Sequence, residues 1–386
     1  MTGVVRASSP ASGVASRPTG VSGIQSTAAS RLQTPPPGED ARRTQTRRPH
    51  YALLTLAVLA IATAAAAQPI AATNRGIVVA HDRVIELFDR TGRNLIWKTD
   101  GLPTPQSIAA SNERIAVLDP LANEARIVEL AAGRGTAVHT GETPVAGVFI
   151  GPTLYLLERD ARALERIGAD GTRASISTGA DPAFLREANG RLYVYARGEG
   201  LVQEISTSPF AIRRSARVTP FASDFEIDSK NAYVVDPHGA KIGVINLDTM
   251  QSAGNIDVGA VPVSFAFAST GTSLTARTLA VADPSAKKVW LIEGAQSTTQ
   301  AFTRGFLRGL IGLGLFGSGT SNFPTGVDRV FIRGSRWYAF DSSSGTLYRF
   351  TKSSSSVVAR NIRLFTVTAE GVFWWDDAVR RLHQAD

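Results

Sequence analysis

Four histidines follow residue 68, at His81, His139, His238 and His383, and they are the first side chains to weigh for chemistry. Metal ligation would need them clustered, yet no H-x-H or H-x-x-x-H pair exists. A zinc site would therefore have to gather ligands from distant parts of the chain. For each of them a surface or loop histidine is the plainer reading. His238, in the turn sequence DPHGAK, is the one histidine retained as a binding candidate. Six aspartates form the next constellation: Asp89, Asp119, Asp236, Asp283, Asp341 and Asp376. A ring of carboxylates could hold Ca²⁺. The stronger reading is that each Asp accepts backbone N–H groups of the turn it opens. Arg90, Arg93, Lys241, Lys287, Lys288, Arg380 and Arg381 lie close to these aspartates and dilute any cation site.

Other routes to catalysis close quickly. The 386 residues contain no Cys, which excludes disulfides, thiolate metal sites and cysteine nucleophiles. There is no G-x-S-x-G elbow for a serine nucleophile and no phosphate loop with its Lys-Ser/Thr. No catalytic residue, metal ligand or cofactor is predicted.

The elements that position these residues repeat. Short β-rich runs end at Asp89, Asp119, Glu158, Arg197, Asp236, Asp283, Asp341 and Asp376, with spacings of 30, 39, 39, 39, 47, 58 and 35. Pro105, Pro144, Pro182, Pro220, Pro262 and Pro324 each precede another strand-like run. Proline lacks an N–H and suits the loop leading into a strand. From Pro144 onward one unit reads as four short strands joined by turns rich in Gly, Asp and Ser. Four strands in about 40 residues is the period of a β-propeller blade. The expected fold is all-β, a propeller of about eight four-stranded blades with seven as the alternative. The first interval is nine residues short, as if one strand were missing, and the last unit stops after its third strand, LHQ.

In these features the chain resembles the propeller-repeat superfamily of YVTN/NHL-type and quinoprotein-like repeats. GIVVAHDRVIELFDRTGRNLIWKT looks like a quinoprotein-type repeat, and the proline-led middle units look like the YVTN/NHL type. The resemblance covers residues 70–386. It implies the fold and leaves the chemistry open, because propellers host many functions. Lactonase-like relatives need a clustered Glu/Asn/Asp metal site, which is not evident here. Quinone-dependent relatives are longer and often carry adjacent cysteines.

Two intervals are longer than the period. One holds a polar insert around Ser269 to Arg277. The other holds an apolar, Gly-rich insert at 302–324, with the core FLRGLIGLGLFGSG. Phe306, Leu307, Leu310, Ile311, Leu313, Leu315 and Phe316 are its large apolar residues, and its glycines oppose helix formation. One reading folds this loop back over the propeller. The other exposes it to a partner groove or a membrane surface. Among the aromatics, Trp374 and Trp375 are adjacent, so each faces a different side of its strand and packs against a different blade.

Residues 1–50 are rich in Ser, Thr, Ala, Pro and Arg and carry few large apolar side chains, the composition of a disordered segment. Residues 51–67 form an uncharged apolar run after Arg47-Arg48 and end in small residues. That is the pattern of a secretory signal cut before Gln68. A membrane anchor is the alternative, at the short limit for a span. The propeller, 68–386, then lies outside the cytoplasm in the periplasm or the extracellular space. The net charge of +8 belongs mostly to the leader: residues 1–67 carry seven Arg, no Lys and two acidic residues. The remaining 34 basic and 31 acidic residues nearly balance, which speaks against nucleic-acid binding.

The functional expectation is an exported, monomeric, non-catalytic scaffold. It binds a protein or envelope partner through its rim loops, with membrane-surface contact through 306–316 as a further possibility. The competing expectation is an exported enzyme with its site on the propeller axis, either a lactonase-like hydrolase or a quinone-dependent oxidoreductase.

Overall fold

Alternation along each strand decides which neighbour its side chains meet. In the strand Ile77–His81, Val78 and Ala80 pack to one side and Ile77 and Val79 to the other. Both sides are buried, which is why the run is apolar throughout. The computed structural model describes residues 69–258, 261–267, 278–293, 319–333, 336–351, 354–368 and 371–385. These residues form eight antiparallel sheets and no helix. Seven sheets have four strands in simple sequential order, and the eighth has three. The blades span 70–100, 107–139, 144–177, 182–217, 224–257, 264–322, 329–359 and 364–385. The fold is an eight-bladed β-propeller.

Each blade's first strand lies at the axis, and in six of the eight seams it packs against the first strand of the neighbouring blade. The ring closes where Ile70–Ala72 of blade 1 meets Leu364–Val367 of blade 8. The apolar core is divided into eight clusters, one per seam between adjacent blades. Burying one Leu, Ile or Val stabilises by about 1.5–3 kcal/mol, and every seam buries several. With no cysteine to cross-link it, the ring is held by these seams.

The turn between second and third strands follows one rule. Its last residue adopts positive φ, as at Asn123 (56°), Arg162 (49°), Ala240 (51°), Lys287 (53°) and Arg380 (49°). In seven blades the carbonyl of that residue accepts an N–H from just beyond the fourth strand. The acceptors are Arg83, Asn123, Arg162, Gly200, Ala240, Lys287 and Gly345. Their donors are Gly101, Thr140, Thr178, Val218, Val258, Phe323 and Ile362. The bond ties the outermost strand to the turn.

Blade 1 corrects the sequence expectation of a missing strand. All four of its strands are present. Asp89 follows the third strand, Val84–Phe88, whereas Asp119 ends a second strand, Arg114–Asp119. Blade 1 joins its second and third strands by the two-residue turn Asp82-Arg83, both at positive φ. The short first interval compared turns at opposite ends of their blades. Asp89 therefore sits on the rim opposite the other five aspartates. Among the described residues blade 8 has three strands, and LHQ lies on the third.

Trp374 and Trp375 separate as expected. Trp375 is buried in the seam with blade 1, and Trp374 packs into the seam with blade 7.

Candidate functional site

The first strands carry a charged cluster at the axis. Arg186 lies on Pro182–Ala188 of blade 4, and Asp224 and Glu226 lie on Asp224–Ile227 of blade 5. Spacing of two puts both carboxylates on one face of their strand. Arg186 donates from Nε to Glu226 Oε2 at 3.1 Å and from Nη2 to Oε1 at 2.8 Å, a bidentate grip. Asp224 accepts the amide of Phe225 at 2.9 Å and that of Phe265, on blade 6, at 3.3 Å. Arg329, on Arg329–Arg333 of blade 7, adds a second guanidinium whose charge is felt by Asp224.

The electrostatics follow from enclosure. Burial, and then the charge of Glu226, push the Asp224 carboxyl up to about 6, against the opposing pull of Arg186 and two backbone amides. Burial draws Arg329 below the usual arginine range, with Asp328 and Asp224 opposing that shift. Burial also disfavours the Arg186 charge, but Glu226 outweighs it and raises that group. Arg186 and Glu226 keep 30 and 41% of their side-chain area open, so solvent screens this pair in part. Two carboxylates and two guanidiniums thus share one axial site. Asp224 is the member poised for proton exchange near neutral pH.

A second perturbed carboxylate lies off the axis. Glu158 ends the second strand of blade 3, where five other blades have Asp, and accepts the amide of Gly141 at 2.6 Å. Burial and then the neighbouring Glu165 push it up to about 7. Glu158 and Glu165 are only 3 and 7% exposed, so neither offers a substrate a path. Glu165 belongs to a repeated device. Glu86, Glu165 and Glu204 occupy the third strands of blades 1, 3 and 4, and each is met by a cation from the fourth strand, Lys98, Arg173 and Arg214 respectively.

The marker aspartates cap their turns. Asp119 Oδ1 accepts the amides of Leu121 and Ala122, Asp283 Oδ1 that of Ala286, and Asp376 Oδ1 those of Ala378 and Val379. Asp89 does the same at its own turn through Thr91 and Arg93, and these bonds hold its carboxyl down at about 2. The histidines stand in blades 1, 2, 5 and 8. Among the described residues no three His, Asp or Glu side chains are grouped to hold a metal ion.

The strands that lead into the two sets of sequence-based binding candidates end on opposite rims. His238 is exposed on the turn between second and third strands of blade 5. That rim also exposes Leu121, Phe221 and Val379, at 75, 46 and 62%. Phe306, Leu307, Leu310, Ile311, Leu313, Leu315 and Phe316 lie outside the described residues. The strands that flank them, Lys288–Glu293 and Gly319–Asn322, are the third and fourth of blade 6. Their connection leaves from the rim opposite His238. The connection between Ser264–Phe267 and Thr278–Asp283, which carries the polar insert, leaves blade 6 from that same opposite rim. Sequence reading missed the axial cluster. Its signal was the separation of Arg186 and Glu226 by 40 residues, one blade period.

No protein-family model matches the chain, and no curated protein matches it in sequence. Solved structures do match. Virginiamycin B lyase from Staphylococcus aureus is 12% identical, with a TM-score of 0.53 over 70% of this chain and 91% of that one. BamB from Moraxella catarrhalis is 9% identical, with a TM-score of 0.56 over 81% and 94%. BBS1N, solved in complex with ARL6DN, is 13% identical, with a TM-score of 0.51 over 73% and 90%. At these identities the likeness is one of fold. Chains of this fold thus include a lyase and one solved together with a protein partner.

Proposed function

We propose that this chain is a partner-binding propeller scaffold, exported through residues 51–67. The observation that carries the reading is the placement of the two long inserts. Both connections leave blade 6 from one rim: Ser264–Phe267 and Thr278–Asp283 flank the polar insert, and Lys288–Glu293 and Gly319–Asn322 flank the segment that carries 306–316. Insertions in repeats gather on the face that recognises a partner. Phe306, Leu310, Ile311 and Phe316 would then supply the apolar contact. The expected partner is a protein or another envelope component.

The test is deletion of residues 306–318. The deleted protein is expected to keep its cooperative unfolding and to lose the envelope protein that the full chain retains in pull-down. Undiminished capture by the deleted protein removes the insert from this account.

One observation favours a second reading, an enzyme with its site on the axis. Asp224, at about 6 and beside Arg186 and Arg329, has the setting of an acid–base group. Under this reading Asp224→Asn abolishes turnover of a hydrolase substrate, and metal analysis or an absorption spectrum of the purified protein reveals a bound ion or chromophore.

A further inference from the structure

The axial cluster belongs to a polar layer at one mouth of the ring. Ser107 on blade 2, Asp224 on blade 5, Ser264 on blade 6 and Arg329 on blade 7 each open their first strand. Each pairs with the residue just before the aspartate that ends the second strand: Leu118, Val235, Ala282 and Phe340 respectively. The four therefore share one level of the ring, at the rim that carries His238. Glu226 lies two residues further in, on the same strand face as Asp224, and keeps 41% of its side chain open. Ser107 is 3% exposed, and its Oγ has no hydrogen bond among the described residues. Opposite Asp224 in the ring of eight, the first strand of blade 1 carries only Ile70, Ala71 and Ala72.

The charges at this mouth do not balance. Arg186 is committed: Nε and Nη2 donate to Glu226, and Nη1 donates to the Leu185 carbonyl at 3.1 Å. Arg329 answers Asp328 as well as Asp224. Three carboxylates thus share two guanidiniums, and Glu226 repels Asp224 along one strand face. Burial and that repulsion hold Asp224 toward its protonated form in spite of Arg186. The missing charge is positive. An anion would have to draw Arg186 away from Glu226. A bare divalent ion fits poorly too, because among the described residues no three His, Asp or Glu side chains are grouped to hold one.

We propose that this mouth binds an organic cation, an amine with a short apolar body. The ammonium group donates to Asp224 and Glu226, and the body lies toward the small side chains of Ala71 and Ala72. The proposal rests on the axial reading for its site and on the charge balance for its ligand. It requires binding and no turnover, and the blade 6 inserts take no part in it.

The experiment is a calorimetric titration of the purified full chain with hexylammonium, with hexanoate as the anionic probe and Ca²⁺ as the metal probe. Near pH 7.5 hexylammonium is expected to bind at least about tenfold more tightly than either. The amine and a proton compete for Asp224, so hexylammonium affinity should fall about tenfold per pH unit once the pH is below about 6. Glu158→Gln removes the other raised carboxyl and should leave that pH profile intact. Asp224→Asn should weaken hexylammonium at least about tenfold and flatten the profile, with the melting temperature reporting that the variant is folded. Hexanoate or Ca²⁺ binding as tightly as the amine, or an amine affinity that does not change between pH 5 and 7 in the unaltered chain, overturns the proposal. Hexylammonium is bound and not transformed, so failure of this site and failure of the enzyme reading are distinguishable.

Discussion

His81 and Trp375 stack with ring centroids 4.4 Å apart, joining the first blade to the last. They lie on strands from opposite ends of the propeller and seal the seam where the ring closes. His81 Nε2 also meets Glu86 at 3.2 Å, and the Phe88 ring packs against Trp375 at 6.1 Å.

Removing Trp375 should therefore open the ring at its closure. Trp375 is 3% exposed, and truncating a buried Trp to Ala typically costs about 3–5 kcal/mol. Trp375→Ala is expected to lower the midpoint of chemical unfolding and to raise hydrogen exchange first in blades 1 and 8. Uniform loss of protection around all eight blades would show that this seam holds no special place.

Glu158 predicts a pH dependence. Its carboxyl sits at about 7 in the folded chain, above its ordinary value of 4.5. The folded state then binds the proton more tightly than the unfolded one, so this stabilisation is full below about pH 4.5 and is lost as pH rises through about 7. Asp224, raised to about 6, acts in the same direction over a lower window. Glu158→Gln keeps an acceptor for the Gly141 amide without the buried charge. It should stabilise the protein at pH 8 by up to about 3 kcal/mol and change little at pH 4.5. Equal effects at both pH values would exclude a titrating Glu158.

Glu204 tests the repeated third-strand carboxylate. It is fully buried, bonds Arg214, and approaches Arg191 at 3.3 Å. Removing one member of a buried ion pair leaves the others uncompensated and costs about 3–5 kcal/mol. Glu204→Ala should destabilise strongly. Replacing Glu204, Arg191 and Arg214 together by apolar residues of similar volume should recover most of that loss, as urea unfolding would report.

The sequence disclosed the blades because both faces of the second strands are buried, which leaves apolar runs such as TLYLL at a nearly fixed period. It misled at Asp89, because an Asp that caps a turn looks the same at either end of a blade. The residue type records the cap and not the hairpin. The axial cluster escaped because Arg186 and Glu226 belong to different blades, and only ring closure turns a repeat-length separation into contact. The third strand of blade 8 was legible in LHQ, which lies on Arg381–Ala385.

The positive-φ turn residue offers the most local test. Ala240 holds φ 51° and Gly345 holds φ 62° at equivalent positions of blades 5 and 7. Glycine populates this region freely, and a residue with Cβ does not. Ala240→Gly should therefore be neutral or stabilising, by up to about 1 kcal/mol, the strain relieved outweighing the chain entropy gained on unfolding. Gly345→Ala should destabilise by more than that gain. A Cβ there would stand 2.7 Å from the Ile362 carbonyl oxygen and 3.0 Å from the Ile362 nitrogen. That nitrogen donates to Gly345 in the bond that ties the fourth strand down. The loss should appear as faster exchange of the Ile362 amide. Unchanged protection there would separate the turn conformation from the strand it is argued to hold.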